Sequence, residues 1–176
     1  NLIYIFADQM RGSAMGFLGE EPVSTPNLDA FAAESLVLAH AASNYPVCVP
    51  YRTILMTGKY SISNGVRVNC FCDGVDLPNH HVWWTDVLDR NGWFCSYLGK
   101  WHITMPIEEY NGQALTKQQG HWLPPQRRHG LRSWMLQTSN KHMSMDYVCH
   151  DRPPTDLVTA DKWSVEVETD KAVEFL

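Results

Sequence analysis

The chain has no run of eighteen apolar residues, so no segment reads as a membrane-crossing helix. It has no surplus of positive charge. Its 14 Lys and Arg against 19 Asp and Glu give a net charge of −5, which argues against a general nucleic-acid-binding surface. Five cysteines in 176 residues are too few for a disulfide scaffold. Cys70 and Cys72, with one residue between them, fit neither a zinc C-x-x-C pair nor an ordinary disulfide. Cys70, Cys72, Cys95 and Cys149 therefore read as structural or incidental thiols. No repeat, low-complexity tract or interdomain linker interrupts the pattern. The first residue is Asn1 and not methionine, already inside an apolar segment, so the start carries no information on compartment. What is present is a globular composition, 44% hydrophobic and 19% charged, long enough for one domain with a core.

Leu2 to Ala7 is a continuous apolar run that ends in Asp8, Gln9 and Arg11. That profile predicts a strand buried on both faces, as in a parallel sheet, with polar groups at its C-terminal end. Thr25-Pro26 predicts a helix start, with Leu28, Phe31 and Ala32 following at helical spacing. Leu36 to Ala39 predicts a short second strand. Thr85 is the expected cap of a helix through Val87 and Leu88 that stops at Gly92, and Trp93 to Leu98 then reads as a strand ending in Gly99, Lys100, Trp101 and His102. From Pro106 to about Pro125 the sequence reads as loop. Ser133 to Thr138 reads as a strand, and Ser164 as the cap of a last helix that puts Val165, Ala172, Val173 and Leu176 on one face. Alternating strands and helices imply a layered α/β fold. His80, His81, His121, His129 and His150 are expected on surface loops, and most of the seven tryptophans in the core.

The stretch Cys48 to Tyr60, CVPYRTILMTGKY, poses a chemical question. Pro50 suits the first helical position, Ile54 and Leu55 can share one face, and Gly58 closes the segment. Cys48 then lies at the positive end of a helix with Arg52 one turn along, a setting that favours anionic chemistry. A small buried residue is the plain alternative. Three polar groups stand at strand or loop ends that a parallel sheet would gather: Asp8-Gln9, Cys48 with Arg52, and Lys100 with His102. Each by itself is equally a solvated strand end or surface loop; their joint occurrence is what carries weight.

These pieces, taken in order, resemble the formylglycine-dependent sulfatases of the alkaline phosphatase superfamily. NLIYIFADQMR looks like the family's first strand with its metal-binding acidic turn, and TPNLDAFAAES like its first helix. CVPYRTILMTGKY contains the C-x-P-x-R core and trailing T-G of the sulfatase signature. LGKWH matches the Lys-x-His segment, and WSVEVETDKAVEFL resembles a later helix of the same domain. The resemblance implies a three-layer α/β/α sandwich with a mostly parallel central sheet, alkaline phosphatase-like and incomplete in this chain. Residues 1–176 would be the N-terminal part of the catalytic domain, without the rest of that domain or the C-terminal subdomain.

The resemblance also implies the chemistry. Cys48 would be oxidised by a maturation enzyme to formylglycine, whose hydrated form has two hydroxyls on one carbon. One attacks the sulfur of a sulfate ester, and the other loses its proton so that the aldehyde re-forms and sulfate leaves. Asp8 and Gln9, with the modified Cys48, would ligate a divalent cation, calcium or in its place magnesium. Arg52 would stabilise the ionised diol, Lys100 would hold a sulfate oxygen, and His102 would take the diol proton. His142 stands near a family histidine that touches the sulfate and the leaving oxygen, while Asn140 occupies a place where some relatives carry another histidine. The expected substrate is a sulfated sugar or other small sulfate ester, with no nucleic-acid partner. Tyr51 departs from the serine or alanine usual beside the signature proline. Two alternatives remain: a phosphate or phosphonate ester hydrolase of the same superfamily, and an inactive sulfatase-like fragment. Two side chains and a diol are too few oxygens for calcium, so the chain alone is expected to be inactive.

Overall fold

The computed structural model describes residues 1–69, 77, 80–138 and 145–176. Cys70, Cys72, Asn140 and His142 lie outside the described residues. The chain divides into two compact units, Asn1–Asn44 and Tyr45–Leu176.

The first unit holds a 3-10 turn, Gly16–Leu18, and the helix α1, Pro26–Ala33. Thr25 is the N-cap as expected, but its hydroxyl serves the turn. It accepts the Gly16 N–H at 2.7 Å and donates to Asp29 Oδ1 at 2.7 Å, which in turn accepts the Phe17 N–H at 2.9 Å. Gly16 has no room for more, since a Cβ there would fall 2.8 Å from Asp29 Oδ2. The expected strands at 2–7 and 36–39 are not among the strands of either described sheet. Leu2, Ile3, Tyr4 and Ile5 are exposed, as are Leu36 and Leu38. An apolar run signals burial, and becomes a strand only where another backbone pairs with it, which is a non-local event.

The second unit is built on a four-stranded sheet of order β1-β4-β5-β6, with β1 at Cys95–Gly99, β4 at Leu131–Gln137, β5 at Asp146–Cys149 and β6 at Val158–Thr159. β1 runs parallel to β4, with Tyr97 opposite Trp134 and Leu98 opposite Met135. The other two pairings are antiparallel, so the described sheet is mixed. Around it lie α2 (Cys48–Thr57), α3 (Ser61–Asn64), α4 (Trp84–Arg90) and α5 (Ser164–Phe175).

The two faces follow from strand periodicity. Trp134, Leu136 and Val148 point to one face, where they cluster with Val49 and Met56 of α2 and with Trp83 and Trp101. Met135, Tyr147 and Cys149 point to the other, where Val167 of α5 packs on them. The sheet is therefore covered on both sides, in three layers. Four tryptophans, Trp83, Trp101, Trp122 and Trp134, are buried in the first cluster, which bears out the core expectation for most of the seven; Trp93 and Trp163 are exposed.

Element ends shift by a residue or two. Trp83 takes the N-cap of α4 in place of Thr85, because the Asp86 carboxylate accepts the Trp83 N–H at 2.8 Å. Trp163 takes the N-cap of α5, making Ser164 its first residue. The region expected as loop contains a hairpin, β2 (Glu109–Tyr110) and β3 (Gln113–Ala114). Its turn is Asn111-Gly112 with φ of 52° and 79°, the positive pair that an Asn-Gly two-residue hairpin turn requires. Two histidines expected at the surface are buried, His81 and His121, while His80 and His150 are exposed. His81 Nδ1 lies 3.2 Å from Lys59 Nζ and its Nε2 3.2 Å from the Asn64 carbonyl. An ammonium only donates and a carbonyl only accepts, so this ring is neutral with its proton on Nε2. Burial pushes its pKa down, in the same sense.

Candidate active site

Helix α2 begins at Cys48 because Val47, extended at φ −133° and ψ 144°, ends the preceding segment, and the Val47 carbonyl accepts the Tyr51 N–H at 2.9 Å. Pro50 is third in the helix and not first as expected, because the helix starts two residues earlier. It is still in the first turn, where N–H groups have no partner within the helix and the missing one costs nothing. The Val49 N–H is taken by Asn69 Oδ1 at 3.0 Å. Gly58 ends the helix at φ 65°, as a left-handed cap whose N–H bonds the Ile54 carbonyl.

The buried face of α2 is not the one formed by Ile54 and Leu55. It consists of Val49, Pro50, Arg52, Thr53 and Met56, the i, i+3, i+4, i+7 stripe of a helix packed on a core. A charged residue therefore sits in that stripe. Arg52 is 4% exposed, and a buried guanidinium is tolerated only where its donors are met. Its Nη1 donates to the Tyr97 hydroxyl at 3.0 Å and to the Lys100 carbonyl at 2.7 Å.

Lys100 follows the last residue of β1, at the C-terminal end of that strand. Its Nζ lies 3.6 Å from Cys48 Sγ. The next residue, Trp101, is 1% exposed. Its indole stacks on Trp83 with centroids 5.5 Å apart, and its N–H donates to Thr104 Oγ1 at 3.0 Å. This buried anchor separates Lys100 from His102, both half-buried, and His102 takes a left-handed φ of 48°. Among the described residues four non-glycines have positive φ: Gln9 at 22°, His102, Asn111 and His129. Asn111 belongs to the hairpin turn. Two of the other three are residues singled out by the sequence, and strained backbone of this kind gathers at functional sites.

The structure thus brings Cys48, Arg52 and Lys100 together, with His102 two residues further along the chain. Asp8, half-buried, and Gln9, exposed, belong to the first unit. Cys48 differs from the other described thiols, none of which is in a disulfide. Cys95 and Cys149 are buried, and burial pushes both thiols up, Cys149 to about 11. Such groups are inert, whereas Cys48 is half-exposed beside an ammonium. The residue that sequence reasoning missed is Tyr97, which joins Arg52 to Lys100. Its signal was present in the polar tip of an aromatic residue two positions before the Gly-Lys step, where a buried hydroxyl demands a partner. Among the described residues no group of three or more His, Cys, Asp or Glu side chains is placed to hold a metal ion.

Comparison with known proteins gives this geometry a family. The Sulfatase family model matches residues 1–175. An ulvan-active sulfatase of Formosa agariphila is 35% identical over 87% of the chain, and an endo-4-O-sulfatase of Bacteroides thetaiotaomicron is 35% identical over all of it. The chain spans 27% and 38% of the length of these two relatives. A crystal structure assigned as the sulfatase yidJ of Bacteroides fragilis superposes with a TM-score of 0.83 at 36% identity, over 96% of this chain and 38% of that one. Family match, shared α/β fold and the gathered Cys48, Arg52 and Lys100 agree, and the chain belongs to the sulfatase family.

Proposed function

We propose that the protein hydrolyses sulfate esters, with Cys48, as formylglycine, supplying the nucleophile, and that residues 1–176 are the N-terminal part of the catalytic domain. The observation that carries this reading is the 3.6 Å approach of Lys100 Nζ to Cys48 Sγ at the end of a core strand, in a chain of this family. A half-exposed thiol at a helix start suits conversion by a maturation enzyme. Once converted and hydrated, the group supplies one hydroxyl for attack on sulfur and a second whose deprotonation releases sulfate.

The chain's own residues supply binding and proton handling. The Lys100 ammonium binds an oxygen of the anionic sulfate group next to the position-48 side chain. Arg52, immobilised by the Tyr97 hydroxyl and the Lys100 carbonyl, places fixed positive charge at the same helix turn, where the ionised nucleophile needs it. His102 is the proton acceptor for the second hydroxyl, and His142 the group that meets the leaving oxygen. Asp8 and Gln9 offer a carboxylate and an amide oxygen, donors suited to calcium or magnesium. Two oxygens do not complete the shell of such an ion.

The relatives' names refer to ulvan and to a 4-O-sulfated group. A sulfated polysaccharide or oligosaccharide is accordingly the substrate class we propose. The full-length protein is assayed for sulfate release from sulfated oligosaccharides and from an aryl sulfate, beside phosphate and phosphonate esters of the same alcohol. Preferential turnover of the sulfate esters supports the reading; turnover of the phosphate or phosphonate alone overturns it. Intact mass checks the nucleophile independently, because replacing CH2SH by CHO lowers the mass by about 18 Da.

A further inference from the structure

The structure assigns Tyr97 a positioning role: its hydroxyl locks the Arg52-bearing helix to the strand end that presents Lys100. The inference rests on the sulfatase reading for its kinetic readout, though not for its geometry. Tyr97 lies on β1 opposite Trp134, on the sheet face that carries α2. Its hydroxyl accepts from Arg52 Nη1 at 3.0 Å and donates to the Lys100 carbonyl at 2.7 Å. The same carbonyl accepts Arg52 Nη1 at 2.7 Å.

Three groups from two elements thus close a triangle in which each contact is a hydrogen bond. The hydroxyl has its one proton committed to the carbonyl and a lone pair to the guanidinium, so its orientation is fully determined. Its ring is held edge-on against Trp101, centroids 4.9 Å apart at 87°, which fixes where the hydroxyl can be. Trp101 is itself the residue between Lys100 and His102. One aromatic side chain therefore sets the register of α2, which carries Cys48 and Arg52, against the Lys100–His102 segment. The 3.6 Å from Lys100 Nζ to Cys48 Sγ spans that same junction. Displacements of about 1 Å at such a junction cost on the order of a hundredfold in rate. Tyr97 acts through Arg52 and Lys100 and does not itself handle the substrate.

The test is made on the full-length protein. Tyr97→Phe keeps the ring against Trp101 and removes only the hydroxyl; Tyr97→Leu removes both. Tyr97→Phe is expected to lower kcat about tenfold with KM changed less than about twofold, the cost of one hydrogen bond to a charged group. The diagnostic is a cycle with Arg52→Lys, whose ammonium lacks the planar fork. If Tyr97 works through Arg52, adding Tyr97→Phe to Arg52→Lys costs nothing more. A Phe variant within twofold of the wild-type kcat, with only Leu impaired, overturns the proposal in favour of simple packing. Losses that multiply in the double variant overturn it too. Should the wild-type protein release no sulfate, the sulfatase reading fails and a second arm still decides about Tyr97. In protein produced without the maturation step, iodoacetamide alkylation of Cys48 is followed by peptide mass. A rate changed about threefold or more in either direction in Tyr97→Phe supports the lock, since the surroundings of Cys48 Sγ, 3.6 Å from Lys100 Nζ, then depend on the Tyr97 hydroxyl; an unchanged rate overturns it.

Discussion

Cys48 is the residue on which the proposed chemistry turns, and its prediction follows from counting hydroxyls. Cys48→Ala in the full-length protein abolishes turnover. Cys48→Ser retains a single hydroxyl, enough to take the sulfuryl group but with no second one to expel it. The expected result is at most one equivalent of alcohol released and a covalent sulfate ester on the substituted side chain, detectable by mass. Sustained turnover by the serine variant disproves the two-hydroxyl scheme. At this scale much of the site was legible. Cys48 and Arg52 stand one helical turn apart in the sequence, and Lys100 stands at the polar end of an apolar run, so secondary structure places them at ends that a sheet can gather. It is their joint occurrence and the ordered resemblance to sulfatases that nominate them. Tyr97 showed its polar tip in the sequence, but what that tip would bond was illegible for a physical reason. Its partners are a guanidinium 45 residues away and a main-chain carbonyl, and no sequence pattern announces a bond to a carbonyl.

Elements were legible where periodicity and punctuation agree. α2, α5, β1 and β4 appear within one or two residues of their expected bounds, because helix stripes and apolar runs are local signals. The Asn111-Gly112 hairpin carried an equally local signal that the loop-rich composition around it obscured. The runs at 2–7 and 36–39 failed as strands since pairing is decided elsewhere in the chain. Gly130 offers a test of how tightly the elements are joined. It takes φ 76° just before β4, and a Cβ there would fall 2.5 Å from the Thr85 carbonyl oxygen and 2.8 Å from its carbon. Both atoms are backbone in α4 and neither can swing aside. Gly130→Ala is expected to destabilise the fold by about 2–4 kcal/mol, read as a lower urea midpoint. An unchanged midpoint would mean that α4 and β4 separate freely.

The buried histidines give the elements a pH dependence of definite sign. Burial lowers the pKa of both His81 and His121 from the usual 6.5, and Lys117 adds to the effect at His121. The unfolded chain thus binds protons at these positions more readily than the folded one. Stability is complete above the unfolded value and is lost as the pH falls below 6.5 through the folded pKa values. Urea midpoints measured from about pH 7.5 downward should decline across that range, and His121→Gln, which cannot charge, should flatten the decline. A profile that rises on acidification through the same range contradicts the assignment of neutral, buried rings.

On the scale of the whole molecule the telling quantity is the apolar surface left exposed among the described residues. Ile5 is 88% exposed and Leu36 86% in the first unit; Trp163, Val173 and Leu176 are 61%, 69% and 64% exposed along α5 and its ends. Scattered exposed apolar residues are ordinary, but the run at 2–5 is consecutive in the chain, and Val173, Phe175 and Leu176 are all exposed within the last turn of α5 and its end. The helix shows how this arises. Its inner side, through Val167 and Glu168, meets the sheet, where Gln137 Nε2 and the Tyr147 hydroxyl bond Glu168 at 2.6 and 3.1 Å, while Val165 and Val173 point away. Residues 1–176 expressed alone are therefore expected to self-associate and to bind a hydrophobic dye. Sedimentation velocity at two concentrations measures the first and dye fluorescence the second. Val173→Glu together with Ile5→Lys is expected to reduce both, because each replaces an exposed apolar side chain by a charge without touching a buried contact. A monodisperse monomer that binds no dye would show that these side chains find cover within the chain itself, and would remove the reason for expecting their partners elsewhere.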